Sequence, residues 1–371
     1  MSRTPSIRKS GRFVYPRSYA IFKAVNVRYE FAGFGARIAP APGRLVLDVG
    51  MAQAPGILDH HFPEAENECA ASLVVKHPEL VLGHLRPAGR PADAFGPVTV
   101  ITHVLPDFDA LSAIFLSLRL LETGEVDDGM RKLAAYTRTV DASLLPPTID
   151  LAATPYAILR ALFAGVKKPL DEINADRIAE GARFMKILHA RATDGGDILE
   201  DPTLFAGIDR YEQARRKVEG DNAWYQGDAH HGRKIMLNLP RIAGGGRTLV
   251  DGLVVVDAHS FLLKEWARRD RAGSPLGKGF GFVYSNFQGL RYSLGVDPAA
   301  GVNLRGLADE INLLERKKAE AEGKPPGPVW YGGECPFFNY RLVVSPHEGT
   351  RLSHEEIFGA VMKFGAPSPA L

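Results

Sequence analysis

Two rhythms alternate along the first part of the chain. Short apolar runs end in polar residues, and longer stretches repeat apolar residues at helical spacing. Residues 13–38 are rich in aromatic and β-branched residues, with Gly33 and Gly35 near the end, and predict one or two strands, a hairpin being one arrangement. Arg44-Leu-Val-Leu-Asp-Val-Gly50 predicts a buried parallel strand tipped by a carboxylate. Gly56-Ile-Leu-Asp59 predicts a second short strand, followed by His60, His61 and a proline turn. Residues 68–77 predict a helix, and Pro97-Val-Thr-Val-Ile-Thr-His103 a third strand. In residues 109–122, Leu111, Ile114, Phe115, Leu118 and Leu121 mark one apolar helical face. Strands alternating with helices predict an α/β domain with a mainly parallel sheet.

The pattern then changes. Residues 151–225 predict mostly helix, with long periodic stretches at 175–192 and 204–224 and a break at Gly195-Gly196. Beyond Gly227 the short apolar runs return, at residues 234–239, 253–257, 281–285 and 340–344. A helix is expected at 304–322, and loops at 244–246 and 323–327. The expected organisation is thus a domain over residues 1–225, including a helical connector, and a smaller α/β domain over 230–371. A length of 371 residues is too great for one ordinary core, and a 45% hydrophobic share can fill two.

Charge and cysteine content narrow the classes. The 45 basic and 43 acidic residues leave a net charge of only +2, so overall charge does not demand nucleic acid. Residues 1–12 read as a loose basic tail (Arg3, Arg8, Lys9, Arg12) without the apolar centre of a signal peptide. No apolar run approaches the ~20 residues that span a bilayer. Two cysteines, Cys69 and Cys335, indicate neither a disulfide framework nor a thiolate zinc site. A soluble cytoplasmic protein with no membrane partner is expected.

The chemistry concentrates at the strand ends. In His103-Val-Leu-Pro-Asp107-Phe-Asp109 a strand ends in one histidine, and two aspartates follow at spacings of four and two. A turn there aims His103 and Asp107 at one cation and Asp109 at a neighbouring one. Asp109 also opens the next helix, where the N-terminal dipole favours a carboxylate. Asp59-His60-His61 follows the second strand, and Asp48 tips the first, where a carboxylate can bridge two metals. Carboxylates with imidazoles suit Mn²⁺, with Mg²⁺ the alternative.

These motifs resemble the DHH phosphoesterase superfamily. His103-x-x-Pro-Asp107-x-Asp109 matches its first motif, Leu47-Asp48 looks like its second, and Leu58-Asp59-His60-His61 is similar to its third. Asp141, in Tyr136-Thr-Arg-Thr-Val-Asp141, is similar to the fourth, a single aspartate after a helix. The second and third motifs precede the first here, and a circular permutation accounts for that order. The resemblance implies that His103, Asp107 and Asp48 hold one metal, while Asp109, Asp48, His60 and Asp141 hold the other. It implies that His61 contacts the substrate phosphate or assists proton transfer, and that Asp59 orients a histidine.

The second half resembles the family's DHHA1 domain more faintly, through Leu290-Arg291-Tyr-Ser293-Leu-Gly295 and Tyr331-Gly332-Gly333-Glu334. The family often has histidine where Glu334 stands. Arg291, with the backbone of Gly332 and Gly333, becomes the expected phosphate contact. The implied protein is a two-domain, Mn²⁺-dependent phosphoesterase with its active site in the cleft between domains. It acts on a phosphodiester or short oligonucleotide, with pyrophosphate or polyphosphate second. A catalytically inactive metal- and nucleotide-binding regulatory protein is the rival. Three further features read as structural: His230-His231, a loop around Lys278, and the charged helix face at Glu315. Residues 13–38 either complete a sheet edge or form a homodimer contact.

Overall fold

The computed structural model describes residues 13–14, 26–85, 97–287 and 291–366. The basic tail expected at residues 1–12 lies outside these residues, as do residues 15–25. The chain forms two compact units, residues 1–145 with 153–214, and residues 146–152 with 215–371. The division falls inside a helix, upstream of the expected boundary between 225 and 230.

The strands of the first unit are β1 (Phe13–Val14), β2 (Val27–Ala32), β3 (Arg44–Leu47), β4 (Gln53–Ala54), β5 (Ile57–Leu58) and β6 (Val98–His103). They form one sheet in the order β1-β2-β6-β3-β5-β4. The inner pairings β2–β6, β6–β3 and β3–β5 are parallel, and the edge strands β1 and β4 pair antiparallel. Side chains alternate across the sheet, and both sets are buried. Leu45 and Leu47 point one way, and Val46 joins Ile57 and Ile101 in a cluster on the other. Burial on both faces explains why these strands appear in the sequence as unbroken apolar runs. Of residues 13–38, the described part supplies the edge strand β1 and its inner neighbour β2.

The helices of this unit are α1 (Ala70–Lys76), α2 (Pro78–Leu85), α3 (Phe108–Thr123), α4 (Asp128–Asp141), α5 (Pro155–Phe163) and α6 (Leu170–Thr193). Pro78 stops the first expected helix and starts α2, at a position where its missing N–H costs nothing. Helix α3 is buried on nearly all sides, between α1, α4 and α6. Gly181 of α6 permits that packing, because a Cβ there would meet Leu111 at 2.7 Å. Gly124, at φ 79°, closes α3 in the left-handed conformation that glycine adopts freely.

Helix α7 (Asp209–His231) carries the chain into the second unit. There follow β7 (Arg233–Pro240), β8 (Arg247–Val255), α8 (Leu263–Ala267), β9 (Phe282–Phe287), β10 (Arg291–Val296), α9 (Leu307–Ala321), β11 (Leu342–Val344) and α10 (His354–Phe364). The sheet order is β11-β10-β9-β8-β7, with only β8–β9 parallel among these pairings. Val254 packs with α9 and α10 residues such as Ile311 and Val361, while Leu253 and Val255 pack with Tyr225 and Ala229 of α7. One strand thus feeds two apolar layers.

Three expectations shift here. The strand expected at 253–257 is the longer β8, whose first half pairs with β7 across Gly244–Gly246, three glycines at positive φ. The strand expected at 340–344 shortens to β11, because Asn339 and Tyr340 turn the chain at φ 46° and 58°. Helix α10 was not expected, although Ser353 and Glu356 form a complete capping box at its start. No described helix is long and apolar enough to cross a membrane.

Candidate metal centre

Because β3, β5 and β6 run parallel, their carboxyl ends lie along one edge of the first sheet, where α/β folds place ligands. Asp48 follows β3, Asp59 follows β5, and His103 ends β6. Asp48 sits at φ 57°, in the left-handed region that aspartate tolerates better than most residues. Its N–H still donates to the Leu58 carbonyl at 3.0 Å, so the turn is pinned to β5.

Two histidines converge on Asp48. The Nε2 of His103 lies 3.2 Å from Asp48 Oδ2 and 3.8 Å from Asp107 Oδ1. The Nε2 of His60 lies 3.4 Å from Asp48 Oδ1 and 3.8 Å from Asp141 Oδ2. Each ring uses its other nitrogen on a backbone carbonyl, His103 Nδ1 on Val104 at 2.9 Å and His60 Nδ1 on Glu68 at 2.9 Å. A carbonyl partner requires Nδ1 to donate, so Nε2 is the nitrogen turned to the acids, where loss of its proton would free a lone pair for a metal.

Three sets of ligand atoms approach closely enough to share an ion, each within 4.8 Å: Asp48, His60 and His61; Asp48, His103 and Asp107; and His60, Asp109 and Asp141. The second set is the first of the two expected metal sites. The third holds three of the four residues expected at the other. Asp141, expected just beyond a helix, is the last residue of α4.

The donor set fits a cation in a further respect. Asp48 Oδ1 is buried and forms no hydrogen bond among the described residues, and buried carboxylate oxygens are ordinarily satisfied. The electrostatics agree. Burial, followed by the charges of Asp48 and Asp107, pushes the Asp109 carboxyl well above its usual range. Burial alone would lower His103, yet hydrogen bonds to Asp107 and Asp48 pull it well above its ordinary value. Such a cluster of acids is short of positive charge.

The carboxylates divide by role. Asp107 caps α3 through Oδ1, which accepts from the N–H groups of Asp109 at 3.0 Å and Ala110 at 3.2 Å. Asp109 is buried, and its two oxygens accept from Ala70 N–H at 2.7 Å and Ala71 N–H at 2.9 Å, at the start of α1. Asp59 joins none of the three sets. Its oxygens accept from the N–H groups of Met51 (2.6 Å), His60 (2.8 Å) and His61 (3.2 Å), and from His61 Nδ1 at 2.7 Å. It therefore holds His61 in place. Burial opposes protonation of His61, but the charge of Asp59 and its hydrogen bond raise that imidazole to about 9. Burial, then the charge of His61, lowers His60 to about 4.

Sequence reasoning missed the groups that hold these ligands. Leu105, at φ 56°, turns the chain between His103 and Asp107, and α6 clamps that turn. Asn174 Oδ1 accepts from Leu105 N–H at 2.7 Å, and Arg177 Nη1 donates to the carbonyls of Leu105 (3.1 Å) and Pro106 (3.0 Å). Arg138 of α4 donates to the Glu68 carboxylate at 2.9 Å and the Asn67 carbonyl at 3.0 Å, tying the helix of Asp141 to the loop that orients His60. Within an amphipathic helix these residues look like ordinary solvated positions.

The remaining expected residues belong to the second unit. Arg291 opens β10 and is exposed, with Nη2 3.2 Å from His347 Nε2. Gly333 sits at φ 62°, and a Cβ on Gly332 would press against Ala308 of α9 at 3.0 Å. Backbone conformation thus accounts for Gly333 and packing for Gly332. His230 and His231 end α7 and join none of the three ligand sets among the described residues. The N–H groups of Lys278 and Gly279 donate to Ser274 Oγ, which makes that loop a closed turn.

No protein-family model matches the chain, and no curated protein does so either. The functional reading therefore stands on the geometry of the site and on the motif resemblance.

Proposed function

We propose that this protein is a two-metal phosphohydrolase, a permuted relative of the DHH phosphoesterases. The observation that carries the proposal is the Asp48 carboxylate, with one oxygen directed at His103 and the other at His60. A carboxylate so placed suits a bridge between two cations. His103, Asp107 and Asp48 would hold one ion, and Asp48, His60, Asp109 and Asp141 the other. The set is rich in oxygen with two imidazole nitrogens, which favours Mn²⁺ over Mg²⁺. Bound there, a pair of divalent ions supplies Lewis acidity and neutralises charge on a phosphoryl group.

The chain's own groups then position and donate. Asp59 fixes the His61 ring, and His61, at the more open side of the cluster, can hydrogen-bond a phosphoryl oxygen or pass a proton to a departing one. Arg291, exposed at the start of β10, is the residue we assign to a phosphate contact within the second unit. The favoured substrate is a phosphodiester or short oligonucleotide.

The test is hydrolysis by metal-stripped protein, with and without Mn²⁺, of a chromogenic phosphodiester, short RNA and DNA, cyclic dinucleotides and pyrophosphate. Mn²⁺-dependent turnover that Asp107→Ala abolishes supports the proposal. Turnover of no member of the panel, with metals tightly bound, favours a regulatory binding role instead.

A further inference from the structure

Beside the cluster lies an exposed aromatic ring, that of Phe34. Phe34 occupies the turn Gly33-Phe34-Gly35 after β2, and β2 pairs with β6 in a register that sets Ala32 opposite His103. The turn is closed by a hydrogen bond from Ala36 N–H to the Gly33 carbonyl at 3.2 Å, with Gly35 at φ 73°. A Cβ built on Gly33 or Gly35 would meet nothing within 4 Å, so both flanks of Phe34 face open space. From this turn the Phe34 ring stacks on the His103 imidazole, with centroids 4.5 Å apart and planes inclined by 28°.

His103 is 1% exposed, yet Phe34 remains 56% exposed. A ring serving only to cover His103 would be expected to bury itself against neighbours, because exposed aromatic surface gains nothing from the hydrophobic effect. One face of Phe34 is taken by the imidazole, and more than half of the residue lies in water. The imidazole edge that carries Nε2 faces Asp48 and Asp107. The Phe34 ring, with its centroid 4.5 Å from that of the imidazole, is within reach of a flat group carried by a phosphate ester held at that edge.

We infer that Phe34 is a stacking platform for the nucleobase of a nucleotide ester bound at the Asp48–His103 site, a specificity that rests on the site reading proposed above. Flat rings stack on aromatic faces whatever their sequence, and the contact is tolerant of base identity. Pyrophosphate and polyphosphate have no ring to offer, so the platform selects nucleotide esters over them.

The experiment compares adenosine monophosphate with ribose 5-phosphate, which differ only by the base. Each is titrated by calorimetry into the full chain in the presence of Mn²⁺, for wild type, Phe34→Leu and Phe34→Trp. The wild type is expected to prefer the nucleotide by about 5- to 150-fold, the range of base–aromatic stacking. Phe34→Leu keeps an apolar cover on His103 and is expected to lose that preference without weakening ribose 5-phosphate, whereas Phe34→Trp retains it. No preference in the wild type, no nucleotide binding, or equal weakening of both ligands by Phe34→Leu overturns the inference. The readout does not depend on turnover. A base preference without hydrolysis sinks the hydrolase reading alone, and hydrolysis without a base preference sinks the platform alone.

Discussion

The carboxylate of Asp109, buried at the start of α3, accepts the backbone N–H of Ala70 at 2.7 Å and so anchors the first turn of α1. Its other oxygen takes the next N–H, from Ala71. Helix N-termini leave unsatisfied donors, and here a side chain 39 residues away in sequence supplies the acceptor. Asp109 therefore serves the fold as well as the cluster. Asp109→Ala leaves two buried donors without partners and is expected to destabilise metal-free protein by on the order of 3 kcal/mol. Asp107→Ala removes an exposed cap and is expected to cost about 1 kcal/mol. Urea denaturation of both variants checks this ordering, and equal losses would show that Asp109 has no special structural role.

The clamp on the turn after β6 sets the next expectation. Asn174 and Arg177 hold Leu105 and Pro106 in the conformation that aims His103 and Asp107 together. Groups that orient metal ligands affect affinity nearly as strongly as some ligands do. Asn174→Ala is expected to weaken Mn²⁺ binding by about 10- to 100-fold while the protein remains folded. Calorimetric titration with Mn²⁺, alongside circular dichroism, provides the check. Unchanged affinity would mean that the turn keeps its shape without the clamp.

Away from the cluster, Asp127 ties α4 to α6. It accepts from Met130 N–H at 2.8 Å as the cap of α4, and from His189 Nε2 at 2.8 Å. Burial opposes ionisation of Asp127, but these partners outweigh it and hold the carboxyl below its ordinary value. A folded-state value below the unfolded one gives stability that is present above the ordinary aspartate range, about 4, and lost as pH falls through the folded value. Asp127→Asn keeps a good cap but loses the charge facing His189. The wild type is expected to exceed this variant in stability at neutral pH and to converge with it below about pH 4. A difference that persists unchanged to pH 3 would point to packing instead.

The parts of the site visible in the sequence were those whose surroundings are apolar. Leu45-Val46-Leu47 and the run ending at His103 are buried on both faces of a parallel sheet, so the polar residue at each tip stands out against an unbroken apolar background. Asp109 was visible because it stands in the first turn of α3, a helix buried nearly all round. The holding groups were hidden for the opposite reason. Asn174 is 2% exposed, yet within the charged pattern of α6 it reads like any solvated residue. The saturated contacts of Asp59 depend on Met51 lying eight residues away across a turn at φ 56°, which no periodicity encodes. Helix α10 was legible in its capping box, whereas the first half of β8 was not, because its exposed Leu249 and flanking polar residues break the alternation.

The central claim is that Asp48 joins two cation sites, and counting bound ions tests it most directly. Metal-stripped protein is titrated with Mn²⁺ and the bound ion followed by electron paramagnetic resonance, for wild type, His103→Ala and Asp48→Asn. Asparagine tolerates the left-handed backbone at this position, so Asp48→Asn leaves the turn intact. The expected result is two ions per wild-type chain, one retained in His103→Ala, and weakened binding of both in Asp48→Asn. A wild-type protein that binds no Mn²⁺ or Mg²⁺, or an Asp48→Asn variant that binds two ions as tightly as wild type, would contradict the account.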